Sequence, residues 1–290
     1  MLGAEVLLFL IGISSLSIWL FSKVEISVTI AIIFSFITFF LGYISYPSLL
    51  LIILFSFSCY YYTSVKNNFL KFALLLVIAT FITVVILKII PESKSIPIFQ
   101  GVTFSPLSKP FWMSIEIEKS VCGIILTAFL IKKSKKLSDW FQTIKEFPLP
   151  LITLLLFLLT PALLSHFVKI NYKIPSDTYL FIINNLLLTC VAEEAFFRGF
   201  LQKNLFDFLS KNLKMKKGAD IFAIVLTSVA FGLNHVQGGI LYAIFAFFSG
   251  IWYGYVYQKS FKIESAILIH FGFNLVHFIF FTYPSYIGHK

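Results

Sequence analysis

Cys190-Val191-Ala192-Glu193-Glu194-Ala195-Phe196-Phe197-Arg198-Gly199 sits inside an apolar run from Tyr179 to Phe200, which has the length of a membrane-spanning helix. Two adjacent carboxylates and a guanidinium are costly there, at roughly 2.5–3.5 kcal/mol for each charge near a helix centre. A chain keeps such residues where they pair, face a wet cavity or do chemistry. Glu194 and Arg198 are i,i+4 and share a helix face, so the spacing predicts an ion pair. Glu193 points about 100° away from that pair and is left without a partner by this reading.

The rest of the composition agrees with a membrane setting. Hydrophobic residues make up 59% of the 290, charged residues 12%, and Phe alone occurs 36 times. Soluble domains carry about twice that charged fraction. The reading is an all-α, polytopic transmembrane helix bundle with the lipid bilayer as its partner. A net charge of +10 would suit nucleic acid, but the cations cluster in short loops between apolar runs. That is the positive-inside pattern, and no nucleic-acid partner is expected. Cys59, Cys122 and Cys190 all fall in apolar segments without ligand spacing and read as small buried hydrophobes. Met1–Val6 lacks a basic n-region, so Val6–Ser22 reads as a retained helix rather than a cleaved signal.

Runs of spanning length occur at Val6–Ser22, Ile26–Ser45, Ser48–Val65, Phe69–Ile90, Leu149–Ile170, Tyr179–Phe200, Ile240–Tyr257 and Ser265–Tyr283. Ile221–Leu233 reaches spanning length if it continues to His235. Ser120–Ile131 has a short uncharged core preceded by Glu116, Glu118 and Lys119. About ten spans result, or nine if this segment does not cross. With ten, fifteen loop lysines fall on one side, Lys132, Lys133, Lys135 and Lys136 among them, and seven on the other. The richer side is then cytoplasmic and both termini lie outside. Lysines followed by Trp140, Phe141 and Ile144 suggest an interfacial helix in 132–147, and Pro148 and Pro150 open the next span. The chain divides there. Residues 1–146 read as membrane helices of accessory or scaffold role, with no carboxylate or histidine inside them, and residues 147–290 as the half that carries function.

Within that half the misplaced polar residues come at helical spacing. Phe231-Gly232-Leu233-Asn234-His235 closes one helix, and His270-Phe271-Gly272-Phe273-Asn274 lies in the last, with His270 and Asn274 on one face. Measured from Lys203, Asp220 and Lys262 at 1.5 Å per residue, Glu193 lies ~15 Å deep, His235 ~22 Å, His270 ~12 Å and Asn274 ~18 Å. A carboxylate, two imidazoles and a carboxamide at one level form the inventory of a hydrolytic site: a base for water, and donors for a developing oxyanion. His166, His277 and His289 read as structural or exposed, and Asn184 and Asn185 as packing contacts. Gly250 and Gly254 form a small-xxx-small face for close helix approach.

Glu193-Glu194-x-x-x-Arg198, Phe231-x-x-x-His235 and His270-x-x-x-Asn274 resemble, in order and interval, the three motifs of the CPBP family. These are the CAAX prenyl endopeptidases and bacteriocin-processing membrane proteases, also called the Abi family. The resemblance covers roughly residues 147–283. It implies an intramembrane endopeptidase with its site open to the cytoplasm. Glu193 would activate the attacking water, His235 would position it, and His270 with Asn274 would stabilise the oxyanion. Glu194 and Arg198 would hold the helix in shape. The Lys-, Ile- and Phe-rich composition is that of a low-GC bacterium, where prenylated proteins are not expected. A leader peptide, a bacteriocin or another membrane protein is then the expected substrate, and the bacterial cytoplasmic membrane the location. Two water-activating chemistries stay open. The favoured one uses glutamate and no cofactor. In the other a divalent metal such as zinc is held by Glu193, His235 and His270, although no H-E-x-x-H pair is present. Two further readings stand beside the protease: a polytopic transporter or binding scaffold, and a catalytically silent immunity partner of the same family. Burial of all charge in one half speaks against a transporter built from two matched halves.

Overall fold

The computed structural model describes residues 3–21, 23–134, 136–215 and 217–288. Ser22, Lys135, Lys216, His289 and Lys290, which enter the sequence reading above, lie outside them. The described residues form ten helical rods: α1 (Ala4–Leu20), α2 (Val24–Phe40), α3 (Tyr46–Ser64), α4 (Asn68–Ile86), α5 (Ile117–Leu130), α6 (Leu137–Leu164), α7 (Thr178–Asn212), α8 (Ala219–Leu233), α9 (Ile240–Ser260) and α10 (Ile263–Phe280). Six of them, α3, α4, α6, α7, α9 and α10, are long and apolar enough to cross a membrane, and α1, α2 and α8 are apolar but shorter. This is an integral membrane protein built as an all-α bundle.

Local chemistry sets several of the ends. Ser45 and Asn67 accept the first free amides of α3 and α4, from Ser48 and Leu70, as polar caps do. The interfacial stretch is the amphipathic first part of α6, with Leu137, Phe141 and Ile144 exposed. It runs straight into the following span through Phe147, whose dihedrals are helical. α8 stops at Leu233, and Asn234–Gly239 form a tight turn, so α8 does not extend through His235. Its apolar length stays short because it packs on α9. There Gly250 lies against the backbone of Ser228 and Gly254 against the side chain of Ile224.

One element departs from an all-helical pattern. Between α4 and α5 the chain forms an antiparallel hairpin, β1 (Ile96–Val102) and β2 (Phe111–Ile115), with Ile96 opposite Ile115 and Phe99 opposite Met113. It is pinned by rings. Phe104 packs on Phe99 and Phe278, and Phe278 stacks on Phe181 with centroids 4.1 Å apart. The C-terminal segment ties to it through Lys109 N to Ser285 O and Ile287 N to Leu107 O. Lys88, Lys94, Lys109, Lys169 and Lys173 sit at this end of the bundle. The opposite end carries the lysine-rich loops, including Lys132, Lys133, Lys211 and Lys259.

The core crosses the 146/147 division. One apolar cluster runs from Leu7 to Phe278, and α5 packs against α1, α2, α3, α4 and α7. Nearly every residue of α5 from Ile117 to Ala128 is buried. At 14 residues it is ~21 Å long, short of a bilayer core, but protein rather than lipid surrounds it.

Candidate active site

α7 presents both glutamates on one α-helical turn, Val191–Glu194, held between two π-helical stretches, Asn184–Cys190 and Ala195–Gln202. Such wide turns are frequent at functional sites because they break the i→i+4 ladder and re-aim side chains. Cys190 Sγ thus donates to Asn185 Oδ1, five residues back, at 3.4 Å.

Glu194 and Arg198, both 0% exposed, pair through Nε at 3.2 Å. The guanidinium lies over the Phe231 ring, 5.3 Å from its centroid, and reaches Thr227. The other oxygen of Glu194, Oε1, contacts His270 Nδ1 at 2.8 Å. A carboxylate accepts, so Nδ1 carries the proton and Nε2 turns inward, 3.9 Å from Glu193 Oε2. Tyr253 stacks on the ring at 4.5 Å and fixes its plane. His235 is set by a similar device. Its Nδ1 faces the Phe231 carbonyl at 2.7 Å, and a carbonyl only accepts, which leaves Nε2 of the neutral ring as an acceptor. Asn274 donates one Nδ2 hydrogen to Asn185 Oδ1 at 3.2 Å and keeps its second.

Glu193, His235, His270 and Asn274 all line one cavity of about 380 Å³. His277 also lines it, with Nε2 on the Thr282 carbonyl, and so do Asn184 and Asn185; His166 is exposed. Asn185 is thus a hydrogen-bonding partner of the site rather than a packing contact. A polar residue two turns before Glu193 in an apolar run is the signal that could have marked it.

Glu193 is not unpaired. Lys119 Nζ lies 2.7 Å from Glu193 Oε1, and the pair is buried between α5 and α7. α5 begins at Ile117, earlier than its uncharged core suggests, so Glu118 and Lys119 are helical and the first half does hold buried charge. Glu116 caps the arrangement. It contacts Lys119 at 3.5 Å and Lys88 at 2.5 Å, and Lys88 is exposed to solvent. Burial pushes the Glu116 carboxyl up, but the Lys119 and Lys88 ammonium groups outweigh it and hold the carboxyl below its usual range. The approach that permits all this is at Gly123, one turn after Lys119. A Cβ there would stand 2.6 Å from Ala192 Cα.

Among the described residues no three His, Cys, Asp or Glu side chains form a group able to hold an ion. One Glu193 oxygen is already taken by an ammonium, whose charge repels a second cation.

The cavity also lies in an unexpected half of the bundle. Its walls are Trp112 and Met113 of the hairpin, Tyr283 and Pro284 of the tail, Phe167 and Val168, and the adjoining turns of α6, α9 and α10. These belong to the lysine-poor end. The lysine-rich loops lie at the opposite end. The depth estimates locate the level of the site but carry no information about which end is open.

Residues 175–276 match the family model described as Type II CAAX prenyl endopeptidase Rce1-like. No curated protein and no solved structure matches this chain. The matched segment holds all three motifs and stops short of α5. Over that segment the chain is similar to the CAAX prenyl endopeptidases.

Proposed function

We propose, from this similarity over residues 175–276, that the chain is an intramembrane endopeptidase in which Glu193 activates water without a metal ion. The observation that carries the reading is the meeting of Glu193, His235, His270 and Asn274 on one cavity. Glu193 Oε2 takes a proton from water as the water oxygen bonds to the scissile carbonyl carbon and the C=O pair moves onto oxygen. His235 Nε2 accepts the second water hydrogen and fixes the direction of attack. The free Nδ2 hydrogen of Asn274 meets the oxyanion, with the His270 edge beside it. Collapse restores C=O and breaks C–N, and the proton on Glu193 passes to the leaving amine. The products are a carboxylic acid and an amine, and Glu193 is regenerated. Glu194 and Arg198 act through His270 and the helix, as positioning residues.

The substrate is a peptide segment that reaches the cavity from the hairpin end, between Trp112 and Tyr283. On the loop-charge rule that end faces away from the cytoplasm of a bacterial membrane. A leader peptide or a membrane protein with a translocated flank fits this route.

The test uses purified protein in vesicles with two single-span substrates, the scissile segment placed beyond one membrane face or the other. The parent is expected to cleave the version presented to the hairpin end and to remain active after chelation. Glu193→Gln is expected to accumulate normally and to cut at background rate. Full activity of Glu193→Gln would remove the glutamate reading. Stoichiometric zinc whose removal and return switch activity off and on would replace it with metal chemistry.

A further inference from the structure

Glu193 is held by a residue that belongs to neither the matched segment nor the three motifs. We propose that Lys119 is a positioning residue of this site, supplied by α5, whose ammonium fixes Glu193 Oε1 and thereby aims Oε2 at the cavity. The inference rests on the reading of Glu193 as the water-activating base.

Three independent features of the fold converge on this contact. First, the carboxylate is divided between two neighbours. Oε1 has Lys119 at 2.7 Å, while Oε2 has His270 Nε2 at 3.9 Å, and both Glu193 and His270 line the cavity. A carboxylate with one oxygen clamped can turn only about that anchor, so the free oxygen keeps one direction. Second, the ammonium is itself fixed from behind. Glu116 reaches Lys119 and is reached by Lys88, so a line of alternating charge runs from the exposed end of α4 to Glu193. Third, the helices are built to let the contact form. Gly123 removes the one side chain that would keep α5 off Ala192, and the π-helical stretches on either side of Val191–Glu194 set the turn that faces α5. Lys119 also touches a smaller cavity of about 180 Å³, lined with Trp112, Ser114, Ser120 and Asn184, which has room for a larger cation.

A plain structural ion pair would stabilise the bundle and leave turnover per folded molecule unchanged. A positioning residue affects kcat, because an anchor that slips by about 1 Å costs roughly a hundredfold in rate. The experiment compares Lys119→Met and Lys119→Arg with the parent as purified, folded protein in vesicles, using whichever of the two single-span substrates the parent cleaves. Lys119→Met is expected to lose roughly tenfold to a hundredfold in kcat with KM within about twofold. Lys119→Arg keeps the cation and has space beside it, and is expected to recover most of that loss. Should Lys119→Met fail to accumulate, Glu116→Gln replaces it. That variant keeps Lys119 but frees its back, and a several-fold fall in kcat at unchanged KM is expected. Unchanged kcat in the folded Lys119→Met variant, or in Glu116→Gln where that substitutes for it, overturns the inference. So does a loss that Lys119→Arg does not recover. Glu193→Gln, assayed in parallel, separates the two levels: if it is active the underlying reading has failed, and if it is dead while the Lys119 variants turn over normally only the role of Lys119 has.

Discussion

Helices α5 and α7 meet at Gly123 and Ala192 and are built on opposite plans. α7 is 35 residues long, carries its charges in the middle of an apolar run, and has 72% of its spanning window buried. α5 has 14 residues, carries Glu118 and Lys119 in its first turn, and is buried almost throughout. The long helix borders lipid over part of its surface, so it must be long and apolar. The short one is enclosed by five others and by the hairpin above it, and needs neither property. Length and apolarity are therefore demands made by lipid contact, not by membership of the bundle. A charge at the end of an enclosed helix can then lie as deep as one in the middle of a spanning helix.

Three substitutions test that contrast. The largest effect is expected at Glu194, whose charge belongs wholly to the long helix and its brace. Glu194→Gln leaves Arg198 fully buried without its carboxylate, and its single carbonyl oxygen can accept from only one of Arg198 Nε and His270 Nδ1. Breaking one side of a buried pair costs about 3–5 kcal/mol, measurable by denaturant unfolding in mixed micelles and as reduced accumulation. Stability within about 1 kcal/mol of the parent would end the view of this pair as the brace of α7.

Gly123→Ala addresses the contact between the helices. The new methyl would overlap Ala192, and forcing α5 away is expected to cost about 1–3 kcal/mol. Adding Ala192→Gly should recover only part of it, because Ala192 Cα is as close as its Cβ. Full recovery would show that the helices separate easily and that the close approach is not what delivers Lys119.

The smallest effect is expected at Glu116, at the solvent edge of α5. Its carboxyl is held below the ordinary carboxylate value by Lys119 and Lys88 against the effect of burial. Stability from such a group is present above the unfolded-state value, about 4.3 for Glu, and is lost as pH falls through the lower folded value. Thermal unfolding of the parent should therefore decline on acidification below about pH 4.3 more steeply than that of Glu116→Gln, by under about 1 kcal/mol. Parallel curves would mean that Glu116 does not anchor α5.

The membrane class, the bundle, the Glu194–Arg198 pair and the four residues Glu193, His235, His270 and Asn274 that line one cavity were legible in the chain. A helix period and an apolar run are local properties, and a charge in the wrong place is conspicuous against them. The partner of Glu193 was not legible, for a reason particular to Lys119. It stands 74 residues away, next to two glutamates at the head of a short run, where a lysine reads as part of a loop. Asn185 was missed because ideal helical spacing does not anticipate the wide turns of Asn184–Cys190. The hairpin gave no strong pattern, since its strands are five and seven residues long and rest on rings brought from elsewhere in the chain.

By itself the sequence determined which segments enter the membrane, which side chains are out of place there and what chemistry they could share, because each follows from periodicity and the cost of buried charge. Only the tertiary structure decided what stands against Glu193, which end of the bundle the cavity adjoins, and that α5 belongs at the centre. Those depend on which helices touch, and contact between distant segments is set by packing, through a missing side chain at Gly123 and the turns that flank Glu193.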